Sequence, residues 1–322
     1  MNLRERCALV VPTLRAGPTL AAALESFGAG WRARAIVVDN RASGAGIDGV
    51  CDRFPDVAVI RMGANRGFAA AVNAGIHAAR QRGDEVVLLV NDDVLVDASS
   101  LDVLAQALQS EPQIASAAGV LMQAGSELID TAGLRCDPAI GTEDVARHRR
   151  LSELSEQPAP LGPSGGLGAY RLAALAEVGD FDEGFFAYYE DADVALRLAL
   201  NGWRCVLAPD AVGQHRGSET LGWRSLEKAV IAGRSRGRIA RRYGVHRHPG
   251  AWPWLGLELA AGLLLCAEHR SLAPLRARCA GFREATQISR YPSELIEATS
   301  ARRAVVERVT RRYRKLAPPA LE

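Results

Sequence analysis

A chain of 322 residues can bury one large domain, or one domain with an appendage. Its apolar fraction of 48% and charged fraction of 24% are close to globular averages and exclude wholesale disorder. The net charge of +2 is unevenly distributed, because residues 1–215 carry 18 basic and 28 acidic side chains and residues 216–322 carry 21 and 9. The basic second part suits an anionic partner, although a solvated helical surface would have the same composition.

Short apolar runs alternate with helical patterns along the first part of the chain. The runs are residues 8–11, 35–38, 57–60 and 86–90. Because they are continuous rather than alternating, they predict a parallel sheet covered by helices on both faces. A helical pattern with Pro18 near its start follows the first run, which Pro12 and Thr13 end, and an Ala-rich helix reaching Arg82 follows the third.

The later elements are less regular. We expect a helix around residues 101–108, a strand at 114–122, a mobile loop at 141–163, a glycine-rich stretch at 162–168 and a strand at 203–207. Helical patterns then cover residues 223–243 and, roughly, 275–316. Between them, the apolar stretch 251–266 contains two tryptophans and Glu258, and we expect it to be too short and too interrupted to cross a membrane.

The six cysteines show no CxxC pair and no metal-ligand spacing, which indicates reduced core residues of a cytoplasmic protein. They are Cys7, Cys51, Cys136, Cys205, Cys266 and Cys279. Charged residues 4–6 precede the first run, so we expect no signal segment there.

Polar residues follow the predicted strands, at the edge of the sheet where α/β proteins bind ligands. Thr13, Asp39 and Asn65 follow the first three strands, and Asn91-Asp92-Asp93 follows the fourth. Two adjacent carboxylates repel each other unless a cation or solvent separates them, and oxygen ligands suit Mg²⁺ or Mn²⁺ bound to substrate phosphates. An acidic turn that caps the next helix is the alternative for the isolated motif.

A second acidic cluster, Glu190-Asp191-Ala192-Asp193, follows an aromatic run at residues 185–189. A partly dry environment would keep a carboxylate basic enough to take a proton from a hydroxyl, and Asp191 is the candidate base. The alternative is that these acids only stabilise the helix N-terminus. His215 lies beyond the last strand and is either a structural residue or a metal ligand.

Asp39-Asn40 and Asn65-Arg66 are placed to read a nucleoside at the second and third strand ends. The glycines form neither GxGxxG after the first strand nor a P-loop, which disfavours a dinucleotide dehydrogenase or a P-loop NTPase. A nucleotidyltransferase would have a signature rich in Gly, Arg and Lys after the first strand, and residues 14–17 contain too little of it. No motif supports nucleic-acid binding.

Taken in order, these motifs resemble family 2 glycosyltransferases of the GT-A fold, especially the rhamnosyltransferase-like branch, over roughly residues 7–217. The motifs are Val11-Pro12-Thr13, Val38-Asp39-Asn40, Asn65-Arg66-Gly67-Phe68, Asn73-Ala74-Gly75, Leu89-Val90-Asn91-Asp92-Asp93, Ser164-Gly165-Gly166, Gly179-Asp180-Phe181-Asp182-Glu183, Phe186-Ala187-Tyr188-Tyr189-Glu190-Asp191-Ala192-Asp193 and Pro209-Asp210-Ala211 with His215. The implied fold is α/β, a Rossmann-like, mostly parallel sheet flanked by helices, with a helical C-terminal extension.

The resemblance implies an inverting sugar transfer from a nucleoside-diphosphate sugar, dTDP-rhamnose or a UDP-sugar, to a glycan or lipid-linked acceptor. Asp93 and His215 would bind Mg²⁺ or Mn²⁺, Asp191 would be the general base, and Glu190 would be the catalytic carboxylate beside it. The implied nucleotide-sugar site comprises Pro12, Thr13, Asp39, Asn40, Asn65, Arg66, Asn91, Asp92 and Gly166.

We expect a catalytic domain over residues 1–217 and a basic helical region over 218–322. That region is expected either to rest on an anionic membrane, on the inner face of the plasma membrane, or to supply a core or homodimer helix. A non-catalytic nucleotide-sugar or glycan-binding partner of an envelope-glycan assembly complex is the alternative function.

Overall fold

A mixed sheet forms the centre of the molecule in the computed structural model, which describes residues 3–42, 46–156, 159–216 and 225–296. Its strands are β1 (Cys7–Thr13), β2 (Ala35–Asp39), β3 (Ala58–Arg61), β4 (Val86–Val90), β5 (Val94–Val96), β6 (Ile114–Gln123), β7 (Ile129–Thr131), β10 (Leu167–Arg171) and β11 (Arg204–His215), while β8 (Leu134–Cys136) and β9 (Thr142–Asp144) form a separate pair. The helices are α1 (Pro18–Ser26), α2 (Gly28–Arg32), α3 (Ile47–Arg53), α4 (Phe68–Gln81), α5 (Ala98–Ala107), α6 (Leu172–Val178), α7 (Glu190–Leu200), α8 (Leu226–Arg242), α9 (Trp252–Glu268) and α10 (Ala273–Glu284).

The strand order is β3-β2-β1-β4-β10-β6-β11-β5, with β7 paired to β6. Strands β3, β2, β1 and β4 are parallel, as the continuous apolar runs predict. Strand β10 is antiparallel to both of its neighbours, β6 and β11 are parallel, and β5 is antiparallel to β11. The predicted α/β class is confirmed, and the antiparallel pairings all lie in the second half of the sheet.

Helices on both faces explain why β1, β2 and β4 are buried at every position. In β1, Leu9 and Val11 face a cluster built with α1, α2 and α5, whereas Ala8 and Val10 face one built with α4 and α7. Burial of both faces removes apolar surface from water on each side of the sheet and stabilises the parallel half.

Three predictions about where ordered elements begin and end were wrong. Strand β1 continues through Pro12 to Thr13, which pairs with Asp39. Strand β11 passes an irregularity between Leu207 and Val212 and ends at His215, so the histidine belongs to the sheet rather than to a loop beyond it. The segment 141–163 contains β9 and a 3₁₀ turn at Leu151–Glu156, because its backbone pairs with β8 and its arginines find acidic partners.

The C-terminal helices share a hydrophobic cluster with the earlier part of the chain. Ile239 of α8 and Tyr243, which follows it, pack with Phe185, Ala192 and Leu196. The predicted boundary at 217/218 lies outside the described residues. Of the predicted helix at 275–316, the structure describes residues 275–296; α10 ends at Glu284, so the helix prediction was wrong for residues 285–296, and residues 297–316 lie outside the described part.

Helix α9 is longer than predicted, because it continues to Glu268 and follows a turn at Pro249–Ala251. By length and composition alone, the 20 residues Pro249–Glu268 could cross a membrane, so the expectation that this stretch is too short was wrong.

All six cysteines are free thiols. Cys7, Cys136 and Cys266 are buried, as expected for core residues, whereas Cys279 is exposed, so the core expectation was wrong for it.

Candidate active site

The carboxyl ends of β1, β2 and β4 bring together side chains that are far apart in the sequence. Thr13 lies opposite Asp39 in the strand register. The Thr13 hydroxyl donates a hydrogen bond to Asp92 in the turn after β4, and both Thr13 and Pro12 are buried. Burial, together with the adjacent Asp93 charge, raises the pKa of Asp92 to about 6.

Strand β11 carries His215 to the same turn. His215 pairs with Val94 of β5, and its Nε2 lies 3.3 Å from Oδ2 of Asp93. The backbone N–H of Arg216 donates to the Asp93 carbonyl at 3.0 Å, which fixes the end of the strand against the turn. The other oxygen of Asp93, Oδ1, is buried and has no hydrogen-bond partner.

Asp130 of β7 holds the opposite side of the histidine ring and was missed by sequence reasoning. His215 Nδ1 lies 2.7 Å from Asp130 Oδ2, and Asp130 Oδ1 in turn lies 3.4 Å from Arg147. Hydrogen bonds to Asp130 first and Asp93 second raise the pKa of His215 to about 9. A carboxylate behind a metal-binding histidine fixes the ring orientation and its tautomer.

The pair Asp93 and His215 fits a divalent cation. The unpartnered buried Oδ1 of Asp93 is an oxygen donor, and the neighbouring imidazole becomes a nitrogen donor once the cation displaces its proton. Mn²⁺ accepts both donors, and Mg²⁺ also uses one or two carboxylates together with substrate phosphates. No group of three or more His, Cys, Asp or Glu side chains is clustered as a metal site among the residues that the structure describes.

Two consecutive glycines join this turn to the second acidic cluster. The Asn91 N–H donates to the Gly166 carbonyl at 3.1 Å, and the Gly165 N–H donates to Oδ2 of Asp191 at 3.3 Å. The Asn91–Asp93 turn and the Asp191 carboxylate therefore border the same short backbone segment.

Asp191 and Glu190 begin α7 in different environments. Asp191 is partly exposed, and burial raises its pKa to about 6 against the backbone hydrogen bonds that it accepts. Glu190 is 6% exposed, its Oε2 has no hydrogen-bond partner, and burial with the Asp191 charge raises its pKa well above the ordinary value. Asp191 is therefore the more accessible of the two carboxylates.

Asp193, the third acid of the cluster, does not face the site. It is fully buried, pairs with Arg197 at 2.8 Å and Arg242 at 2.7 Å, and accepts a hydrogen bond from the Tyr243 hydroxyl at 3.0 Å. Its contacts fasten α8 to α7.

A strained turn precedes the candidate base. Tyr188 and Tyr189 are consecutive non-glycine residues with φ of 67° and 72°, a left-handed conformation that costs on the order of 1–3 kcal/mol per residue and is typical of functional sites. Helix α8 supports the turn: Ser235 Oγ donates to the Ala187 carbonyl at 2.9 Å, and the Arg236 guanidinium lies 4.9 Å from the Tyr189 ring centre.

The neighbouring residues Asp39 and Asn40, at the end of β2, have different hydrogen-bond partners. Both oxygens of Asp39 accept hydrogen bonds from Arg41, at 2.6 and 3.0 Å. Asn40 braces the loop after β3, donating to the Gly67 carbonyl at 2.9 Å and accepting from the Arg66 N–H at 2.9 Å.

The loop after β3 has its own polar contacts. Asn65 accepts a hydrogen bond from the Gly67 N–H at 3.1 Å. The exposed Arg66 side chain lies 3.7 Å from Glu183. Asn40 and Asn65 therefore shape this loop, whereas Asp39 and Arg41 present a charged pair beside the crevice.

With this geometry established, comparison with known proteins gives the family. A family model described as glycosyltransferase like family 2 matches residues 5–233, well over half of the chain. The chain belongs to this glycosyltransferase family. It is 26% identical over 207 residues to the N-acetylglucosaminyl-diphospho-decaprenol L-rhamnosyltransferase of Mycobacterium tuberculosis, covering 58% of this chain and 67% of that relative.

Solved structures confirm the GT-A fold. GalNAc-T7 with UDP, GalNAc and Mn²⁺ aligns with a TM-score of 0.56 at 15% identity, over 74% of this chain and 48% of that one. The mannosyltransferase PcManGT from Pyrobaculum calidifontis, in complex with GDP-Man and Mn²⁺, aligns with a TM-score of 0.51 at 17% identity, over 98% and 81%. The family and the fold that the motifs implied are both confirmed.

Proposed function

We propose that this glycosyltransferase moves a sugar, with inversion, from a nucleoside-diphosphate sugar to a hydroxyl of a lipid-linked saccharide. The observation that carries the proposal is the glycine pair, which accepts from Asn91 on one side and donates to Asp191 on the other. A single-displacement transfer needs a base and a diphosphate-binding turn close to each other. Here the proposed base and the proposed turn both contact one short backbone segment.

In this mechanism Asp191 acts as the general base. Its carboxylate removes the proton from the acceptor hydroxyl while that oxygen attacks the anomeric carbon from the face opposite the diphosphate. The bond from the anomeric carbon to the phosphate oxygen breaks, and the nucleoside diphosphate leaves with the electron pair. Partial burial keeps the pKa of Asp191 near 6, so it is ionised at neutral pH but remains basic.

Asp93 and His215 would hold Mg²⁺ or Mn²⁺, which neutralises negative charge on the leaving diphosphate. Asp130 positions His215 through its 2.7 Å contact with Nδ1. Thr13 holds Asp92 beside the same turn, next to the proposed ribose and phosphate position. Mn²⁺ in both aligned glycosyltransferase structures supports a divalent cation here.

For the donor, the rhamnosyltransferase relative supports dTDP-rhamnose, with a UDP-sugar as the second candidate. Asp39 would read the nucleoside, and Arg41 would have to share or release its carboxylate to admit the base. For the acceptor, the name of the same relative supports a saccharide on a lipid diphosphate. The proposed location is cytoplasmic, at the inner face of the plasma membrane.

Two measurements test the proposal. Nucleoside diphosphates and their sugars, each with and without Mn²⁺ or Mg²⁺, are screened for thermal stabilisation, which should reach about 2.7 kcal/mol at 100 times the Kd. We expect metal-dependent stabilisation by one nucleotide family. Sugar transfer to a lipid-linked acceptor is then measured with that donor, and the absence of both stabilisation and transfer would overturn the proposal.

A further inference from the structure

Helix α9 has two faces of opposite character. Its inner face is fixed to the protein: Trp254 and Cys266 are buried, and Glu258 binds Arg236 and Arg278. Its outer face exposes large apolar side chains at the start of the helix and from its middle onward. They are Trp252 at 58%, Leu259 at 47%, Leu263 at 51% and Leu264 at 45% exposure.

The outer face carries no charge between Trp252 and Leu264, since the only ionisable residue in that interval is Glu258 on the inner face. A contiguous exposed apolar stripe on a soluble protein marks an interaction site. We propose that this face of α9, together with the exposed Leu272 after it, docks in the plane of an anionic lipid bilayer.

Charge complementarity favours a lipid surface as the occupant. Exposed arginines stand at both ends of the helix, Arg247 before it and Arg270 after it, and Arg276 and Arg283 are exposed on α10. The chain that follows, residues 297–322, carries seven basic and three acidic side chains. Tryptophan and leucine at the acyl boundary with arginine among the headgroups is the arrangement of interfacial helices.

The inner-face contacts favour docking in the plane over spanning. Glu258 is in the middle of α9, 3.2 Å from Arg236 and 2.8 Å from Arg278, and Arg278 also donates to the Glu258 carbonyl at 3.0 Å. A spanning helix would pull this ion-pair cluster apart and place an unpaired carboxylate in hydrocarbon, which costs several kcal/mol.

The same contacts connect the docked helix to the candidate base. Glu258 of α9 binds Arg236, whose guanidinium lies over the Tyr189 ring, and Tyr189 is followed by Glu190 and Asp191. The base is therefore linked to the docked helix through two side chains, Arg236 and Tyr189. This part of the inference rests on the proposed function, because an acceptor sugar on a membrane-anchored diphosphate would have to reach that base.

The test is co-sedimentation of the full chain with vesicles of phosphatidylcholine alone, or of phosphatidylcholine with phosphatidylglycerol. We expect binding to the anionic vesicles and weaker binding to the neutral ones. The double variant Leu259→Glu/Leu263→Glu should reduce partitioning by about tenfold or more, since two leucines no longer enter the apolar layer. Leu200→Glu is the matched control, because Leu200 is 42% exposed at the end of α7.

Unchanged vesicle binding by the double variant would overturn the proposal, as would equal wild-type binding to the neutral and the anionic vesicles. Absence of wild-type binding, with a dimer that the double variant breaks into monomers, would instead identify a second copy as the occupant. Vesicle binding is measured without donor or acceptor, and nucleotide stabilisation without vesicles, so the docking proposal and the proposed function can fail separately.

Discussion

The two acidic clusters of the crevice are built in opposite ways. At the proposed metal side, Asp93 faces a histidine that lies between two carboxylates, and one oxygen of Asp93 is left without a partner. At the base side, Asp191 accepts only backbone N–H groups and has no cationic partner among the described side chains. The first arrangement attracts a cation, and the second keeps a proton acceptor basic.

This difference predicts that substitutions on the two sides will change different measured properties of the enzyme. Loss of a carboxylate at the metal side should weaken binding of the donor and the cation. Loss of the carboxylate at the base side should stop proton removal and leave binding intact. The clusters touch through Gly165 and Gly166, so the comparison is made within one crevice.

The largest effect is expected for Asp191→Asn. The amide keeps the shape of the side chain but cannot take the acceptor proton, so turnover should fall by about 10²–10⁴-fold. The measurement is the initial rate of sugar transfer at saturating donor. Asp210→Asn, at an exposed aspartate of β11, should keep the wild-type rate, and near-normal turnover in Asp191→Asn would reject the base.

A smaller effect, on cation affinity rather than on rate, is expected at Asp130. Asp130→Asn removes the carboxylate that orients His215 and should weaken Mn²⁺ binding by about 10–100-fold. Mn²⁺ titration followed by electron paramagnetic resonance, with nucleoside diphosphate present, measures this without any turnover. Glu127→Gln is the control, because Glu127 is exposed and pairs with Arg150; equal affinity in all three proteins would remove Asp130 from the site.

The pH dependence of the rate should include the titration of Asp191, together with that of Asp92, whose pKa is also raised to about 6. The pKa of Asp191 is raised to about 6, and only the ionised form accepts a proton, so kcat/KM should rise with pH and level off above that value. Below it the rate should fall about tenfold per pH unit. A profile that is flat between pH 5 and 7, roughly one unit either side of that pKa, would contradict the role of Asp191.

The smallest effect is expected at the support of the base. Ser235→Ala removes the hydrogen bond to the Ala187 carbonyl, worth about 0.5–1.5 kcal/mol, and should lower kcat by a few-fold through a less well held turn. Ser110→Ala is the matched control, because its hydroxyl also donates to a backbone carbonyl, at 3.0 Å, but away from the site. The same loss of kcat in both variants would argue against a special role for α8.

The sequence predicts the parallel half of the sheet and the residues at its strand ends because both depend on local pattern. A buried strand reads as an apolar run, and the polar residue after Val90 necessarily lies at its end. The supports of those residues are not local: Asp130 lies 85 positions from His215, and Ser235 lies 48 from Ala187. Only the folded chain brings them together.

The antiparallel half of the sheet could not be predicted for a related reason. Strand β10 is inserted between β4 and β6, so its neighbours lie far from it in the sequence and its own short run gives no direction. Asp193 shows the same limit in the site. Its spacing in the acidic cluster does not reveal that Arg242, 49 positions away, holds it in the core.

The most direct test of the comparison is the affinity for the nucleoside diphosphate with Mn²⁺, measured by calorimetry for Asp191→Asn and Asp93→Asn in parallel. Our account predicts wild-type affinity in Asp191→Asn and loss of the metal-dependent part of the affinity in Asp93→Asn. Equal losses in both variants, or no loss in either, would contradict the division of the crevice into a cation side and a base side.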